Sequence, residues 1–158
     1  MHRLLLWLWR VLPMGTWLRW QLERFLAPSH QVGVHGVLFD EACRVLLAHH
    51  TYRTGAFVWS LPGGWIEHGE DPGDGMAREL REETGLVAQQ PQLLGVRRSR
   101  ARPSALTLVY AARTTGTFRP SAEVDAIRWV EIDELPLEIL SRYGDWIRLA
   151  IPSPSGRG

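Results

Sequence analysis

Gly64 to Leu86 reads G-W-I-E-H-G-E-D-P-G-D-G-M-A-R-E-L-R-E-E-T-G-L. Within it, Glu79, Glu82 and Glu83 stand at i, i+3 and i+4. On a helix advancing about 100° per residue, those side chains share one face. Like charges at that spacing weaken an isolated helix by about 0.2–0.5 kcal/mol per pair. Folding alone therefore gives no reason to crowd them. A hard divalent cation does, because Mg²⁺ takes oxygen ligands and favours one or two carboxylates plus substrate phosphate oxygens.

The same segment carries helix punctuation. Asp71 is a good N-cap, Pro72 suits the first helical position, and Gly85 suits a left-handed stop. Met76, Ala77, Leu80 and Thr84 form a neighbouring arc that can pack on a sheet. Arg78 can pair with Glu82 one turn on, or reach back to Glu70. Gly73 and Gly75 are poor early-helix residues and point to a loose first turn. Upstream, Pro62-Gly63-Gly64 allows a tight turn that lets a carbonyl face a metal.

With its gaps, the stretch resembles the signature of the Nudix hydrolases, G-x5-E-x7-R-E-U-x-E-E-x-G-U with U aliphatic. Gly64, Glu70, Arg78, Glu79, Leu80, Glu82, Glu83, Gly85 and Leu86 fill every defined position. The flanking strand pattern extends the resemblance over roughly residues 31 to 140. It implies an α/β fold, the Nudix-like α/β/α sandwich with a mixed sheet. It also implies roles. Glu79, Glu82 and Glu83 would hold Mg²⁺ or Mn²⁺, with the Gly64 carbonyl as a further ligand. Arg78 would orient a glutamate, and Glu70 would hold Arg78 as structural support. A downstream acid often supplies a ligand or the general base. Glu123, six residues before Trp129, occupies a similar place, with Asp125 as the alternative. The catalytic set is thus Glu79, Glu82, Glu123 and Arg78.

The implied chemistry is hydrolysis of a phosphoanhydride in a nucleoside diphosphate derivative. ADP-ribose or a nucleotide sugar comes first and a nucleoside triphosphate second. A carboxylate accepts the proton of the attacking water, and metal ions neutralise charge on the phosphates. The competing readings are a nucleotide-sensing Nudix domain without catalysis, and a membrane-peripheral hydrolase of a lipid-linked diphosphate.

Composition sets the frame. At 158 residues, with 45% hydrophobic and 22% charged content, one domain with a real core is expected. Net charge is +1, and no broad basic face marks a nucleic-acid binder. All 18 basic residues are arginine, whose fork suits phosphate contacts. Cys43 is the only cysteine, so no intramolecular disulfide forms. Lying in an apolar strand pattern, it reads as a buried thiol.

Residues 1–30 differ from the rest, holding four of the eight tryptophans. Leu4 to Trp9 is apolar for only six residues before Arg10, too short to span a bilayer, and no small-residue cleavage site follows. Trp17 to Leu26 is amphipathic. This extension is either a helical cap, packed on the domain or on a second copy in a homodimer, or an interfacial anchor with its arginines near anionic lipid. The chain is accordingly placed in the cytoplasm, with or without membrane attachment. Residues 31–151 form the expected hydrolase domain and 152–158 a Pro/Ser/Gly-rich disordered tail.

From Gln31 the pattern turns to strands. They are expected over Val32 to Phe39, Arg44 to His49, Phe57 to Leu61, Leu93 to Arg98, Leu106 to Ala112 and Ala126 to Val130. A final helix is expected from Asp145 to Ile151. Arg97, Arg98, Arg100 and Arg102 form a basic run, either a substrate-phosphate contact or a solvated loop. Trp65, directly after Gly64, is placed as a nucleobase-stacking candidate or a core residue, and Trp59 as core. His49, His50 and His68 read as loop or surface residues.

Overall fold

The computed structural model describes residues 30–99, 102 and 104–151, together with 16, 17, 20 and 21. The expectations for the remainder of residues 1–30, for Arg100 and for the tail 152–158 fall outside these. At the four described positions of the extension the backbone is helical, and Trp17 and Trp20 are exposed.

Six strands and two longer helices are described. The strands are β1 (Gln31–Phe39), β2 (Val45–His50), β3 (Trp59–Ser60), β4 (Val87–Arg98), β5 (Ala105–Thr115) and β6 (Val124–Val130). The helices are α1 (Pro72–Thr84) and α2 (Leu137–Ala150). They form one open mixed sheet in the order β3-β2-β1-β5-β4, with β6 also paired to β2. β1 and β5 run parallel along nine paired residues, and the other pairings are antiparallel.

Alternation along the buried strands explains why each face carries a helix. Val37, Phe39, Val45, Leu47 and Val109 face Ile139, Tyr143 and Ile147 of α2. Their neighbours Val34, Leu38, Leu46, Tyr110 and Ala112 face Met76 and Leu80 of α1. Val34, Val37, Leu38, Leu46 and Leu47 are fully buried. Each such side chain contributes roughly 1.5–3 kcal/mol relative to exposure.

α1 starts and stops where the residues direct. The Asp71 carboxylate accepts from the Gly73 N–H at 2.8 Å, and Gly85 adopts φ 73° and caps onto the Arg81 carbonyl. The expected loose first turn is instead closed, with the Gly75 N–H donating to the Asp71 carbonyl at 2.9 Å. Gly75 has a packing reason: a Cβ there would stand 2.9 Å from a Glu70 carboxylate oxygen.

Several boundaries differ from the sequence reading. The third strand shrinks to two residues because Gly55–Phe57 forms a one-turn 3-10 helix, which Gly55 opens at φ 69°. β4 begins at Val87, six residues early, and bulges between Gln89 and Gln92, where Gln90 takes φ 46°. Among the described strands β4 pairs with β5 alone, so it tolerates the donor that Pro91 lacks. α2 starts at Leu137, directly after Pro136, and is 14 residues long. Cys43 lies in the turn between β1 and β2, half-buried at φ 63°, rather than in a strand.

Candidate active site

Pro62 to Ile66 runs antiparallel beside β1. Gly36 N–H donates to the Pro62 carbonyl, Val34 N–H to the Gly64 carbonyl and Ile66 N–H to the Val32 carbonyl, at 3.0, 2.9 and 2.9 Å. This extra ribbon holds the Gly63-Gly64 turn against the middle of the sheet. α1 then brings its acidic face to the same turn.

The three helical glutamates have different surroundings. The Glu79 carboxylate lies against the Gly64 α-carbon, in space that any Cβ at position 64 would fill. Glu83 is 4% exposed and accepts from the Gly63 N–H at 3.0 Å. Glu82 is 62% exposed at its side chain and accepts from Arg78. Arg78 ties the site together. It donates to both oxygens of Glu70 (2.8 and 3.0 Å), to Glu79 and Glu82 (both 3.1 Å) and to the Trp65 carbonyl (3.0 Å). Five acceptor oxygens from four residues on one fork fix its orientation. Glu70 is held well below the usual carboxylate range, at about 2, chiefly by its hydrogen bonds from Arg78.

Burial pushes the Glu83 carboxyl up to about 8, and the charges of Glu79 and Glu123 add to the rise. Glu79 is raised too, again by burial first. Crowded, desolvated carboxylates of this kind ask for a cation. Among the described residues, no three His, Cys, Asp or Glu side chains enclose an ion by themselves. Glu79, Glu83 and Glu123 do line one cavity of about 570 Å³ with Gly63 and Gly64. The Gly64 carbonyl accepts one hydrogen bond and retains a second lone pair. Hard oxygen donors in twos, open to phosphate oxygens, fit Mg²⁺ or Mn²⁺.

The same cavity is walled by Tyr52, Arg53, Trp65, Ser99, Arg102 and Arg142. Trp65 is 46% exposed, with the Arg102 guanidinium 5.5 Å from its ring centre. Trp59 instead packs against the core. Asp125 is exposed and paired with His49 at 2.6 Å, off the cavity, so of the two downstream acids only Glu123 reaches it. Arg97 lines an adjoining cavity, whereas Arg98 is exposed and lines neither.

His50 corrects an expectation. It is not a loop or surface residue but fully buried at the end of β2, 3.8 Å from Glu83. Sequence reasoning also passed over Arg53, Arg142 and His35. Arg142 belongs to the part of α2 not anticipated. His35 did carry a signal, since it shares the inward parity of Val37 and Phe39.

These environments fix a pH profile for the cation-free protein. Burial lowers His35 to about 3 and His50 to about 4. Below the ordinary value of 6.5 the unfolded chain gains protons the native state refuses, so stability falls as pH drops from 6.5 toward those values. Glu83 acts oppositely. Its raised value means stability falls as pH rises from 4.5 to about 8. Below 6.5 the two histidines oppose the two raised carboxyls, Glu83 and Glu79; above it only the carboxyls act. Stability should therefore fall as pH rises from 6.5 toward 8, by on the order of 1 kcal/mol per pH unit. Thermal midpoints across pH 5 to 8 check this; a flat profile would place these groups in water.

A NUDIX domain model matches residues 29–150. A MutT-like protein of Streptomyces ambofaciens is 37% identical over 117 residues, covering 73% of each chain. Human nucleoside diphosphate-linked moiety X motif 6 is 40% identical over 77 residues, 49% of this chain but only 24% of the human protein. Among solved structures, a MutT Nudix hydrolase from Burkholderia pseudomallei aligns with TM-score 0.64 at 24% identity, over 77% of this chain and 98% of that one. An ADP-ribose pyrophosphatase from Streptococcus suis aligns with TM-score 0.60 at 24% identity, over 78% and 90%. The chain belongs to the Nudix hydrolases, pyrophosphohydrolases that act on acid anhydrides. Members act on nucleoside diphosphate-linked moieties and generally need a divalent ion, usually Mg²⁺.

Proposed function

We propose that the chain hydrolyses the phosphoanhydride of a nucleoside diphosphate linked to a further moiety, with Mg²⁺ or Mn²⁺ as cofactor. One observation carries this reading: two desolvated carboxylates, Glu79 and Glu83, converge on a glycine turn in a cavity that also holds Glu123 and three arginines. The cation would be held by Glu79, Glu83 and the Gly64 carbonyl, whereas Glu82, exposed and bound to Arg78, is outside the cavity lining. When bound it neutralises phosphate charge and makes water more acidic. The remaining work belongs to the chain itself. Arg78 holds Glu79 and Glu82 in place, anchored by Glu70. Glu123 is the proton acceptor for the attacking water. Arg53 and Arg102 neutralise oxygens of the scissile diphosphate, and Trp65 offers a stacking face for the base.

A cavity of about 570 Å³ is of the size that small ligands occupy, and the preferred substrates are of the ADP-ribose or nucleotide-sugar type rather than triphosphates. A panel of both classes, assayed with Mg²⁺ and Mn²⁺ and with products identified by mass, tests this. The expected result is nucleoside monophosphate plus a phosphorylated moiety. In ¹⁸O-labelled water the label identifies the phosphorus attacked. Binding across the panel without any product would instead support a sensor.

A further inference from the structure

Beside the carboxylate cavity lies a second one of about 590 Å³. The two share His35, Arg53, Ser99, Thr107 and Arg142, so they form one continuous groove. Their chemistry differs. The first holds Glu79, Glu83 and Glu123, whereas the second is lined by Arg53, Arg97 and Arg142 and, among the described residues, by no acid.

Among the described residues, Arg53 and Arg142 form no ion pair. Arg53 donates to the Ser60 hydroxyl at 2.6 Å and to the Tyr52 hydroxyl at 3.4 Å, both neutral. Arg142 packs over the rings of Phe57 and Tyr143, at 5.7 and 5.4 Å. Arg97 approaches the same Tyr143 ring at 5.8 Å. Two guanidiniums thus meet at one ring, and a third lines the same wall. Their field is felt by His35, whose value is lowered by burial first and then by Arg142, Arg53 and Arg97. Tyr143 is 1% exposed, and its hydroxyl finds no partner among the described residues. Among the contacts above, Arg142 meets only rings and Arg53 donates only to neutral hydroxyls. An anion entering the cavity would therefore find guanidinium charge to neutralise it. Forked guanidiniums match the oxygens of a phosphate or a carboxylate.

We infer that this arginine-walled cavity takes a second anionic group of the substrate, so that preferred substrates carry a phosphate monoester or a carboxylate on the moiety beyond the scissile diphosphate. This rests on the hydrolase reading above. The cavity is large enough for a sugar ring with its charged substituent. In this assignment the anion sits in the part of the groove lined by Arg97, Phe57 and Tyr143, which no acid among the described residues lines.

Matched pairs read this directly. UDP-glucuronate against UDP-glucose tests a carboxylate; ADP-ribose 1″-phosphate against ADP-ribose tests a phosphate. The expected result is at least a tenfold preference in kcat/KM for the charged member of one pair, carried by KM. Arg142→Gln and Arg97→Gln should each compress that ratio toward one. The pair that shows the preference identifies the anion. Turnover of both pairs with no preference, or a preference that survives both substitutions, overturns the subsite and leaves the hydrolase reading intact. Should nothing be hydrolysed, calorimetry with the same four compounds still decides. Tighter binding of a charged member that Arg142→Gln removes supports the subsite even as the catalytic reading fails; equal binding within both pairs overturns it.

Discussion

Glu83→Gln should lower kcat for the best diphosphate substrate by about 10²–10⁴-fold while leaving the protein folded. The substitution is close to isosteric, and the amide oxygen can still accept from the Gly63 N–H that Glu83 engages at 3.0 Å. In the cation-free protein the Glu83 carboxyl is pushed up to about 8, so a neutral amide resembles the state it already occupies at neutral pH. Stability without metal should therefore hold or rise, and the alkaline decline in thermal midpoint should shrink. Activity and stability move apart, which a merely structural glutamate would not allow. Steady-state kinetics with saturating Mg²⁺, paired with thermal melts, read both. Full turnover in the variant would remove Glu83 from the chemistry. Glu82→Gln is a less clean probe, because it also loosens Arg78.

Gly63→Ala should be the most damaging single-methyl change in the domain, costing about 4 kcal/mol, at the exceptional end for a point substitution. Gly63 adopts φ 148°, a conformation side chains rarely take, and an added Cβ would collide with the Val34 backbone carbonyl and come within 2.8 Å of the His35 α-carbon. Backbone atoms of the central strand β1 cannot step aside. Gly69→Ala is the control. Gly69 is also at positive φ, 83°, but a Cβ added there would meet nothing within 4 Å. It should cost only the backbone penalty, roughly 1 kcal/mol. Chemical denaturation of the two variants measures the difference. Equal losses would mean that the ribbon does not press on β1 as described.

The fold was legible because its signals were local and redundant. Alternation in β1, β2 and β5, a capped helix and a glycine stop all agreed. α2 was harder to see, since Gly144 breaks its pattern and Leu137, at 80% exposure, gives no inward cue at its start. The carboxylate part of the candidate site stood out in the sequence because such a cluster conflicts with helix stability. The arginine-walled cavity did not. Arg53, Arg97 and Arg142 come from the loop after β2, from β4 and from α2, and only the sheet order and the packing of α2 assemble them. The ranking of the glutamates was equally hidden, since helical spacing puts all three on one face but does not show that Glu83 is sealed by the Gly63 turn while Glu82 faces solvent.

If Glu79, Glu83 and the Gly64 carbonyl hold a catalytic dication, crystals soaked in Mn²⁺ should reveal it by anomalous scattering at the manganese absorption edge. The expected peak is bounded by those three groups and is lost in crystals of Glu83→Gln. A well-ordered site with no peak there, in a crystal that hydrolyses its substrate, would rule the dication out.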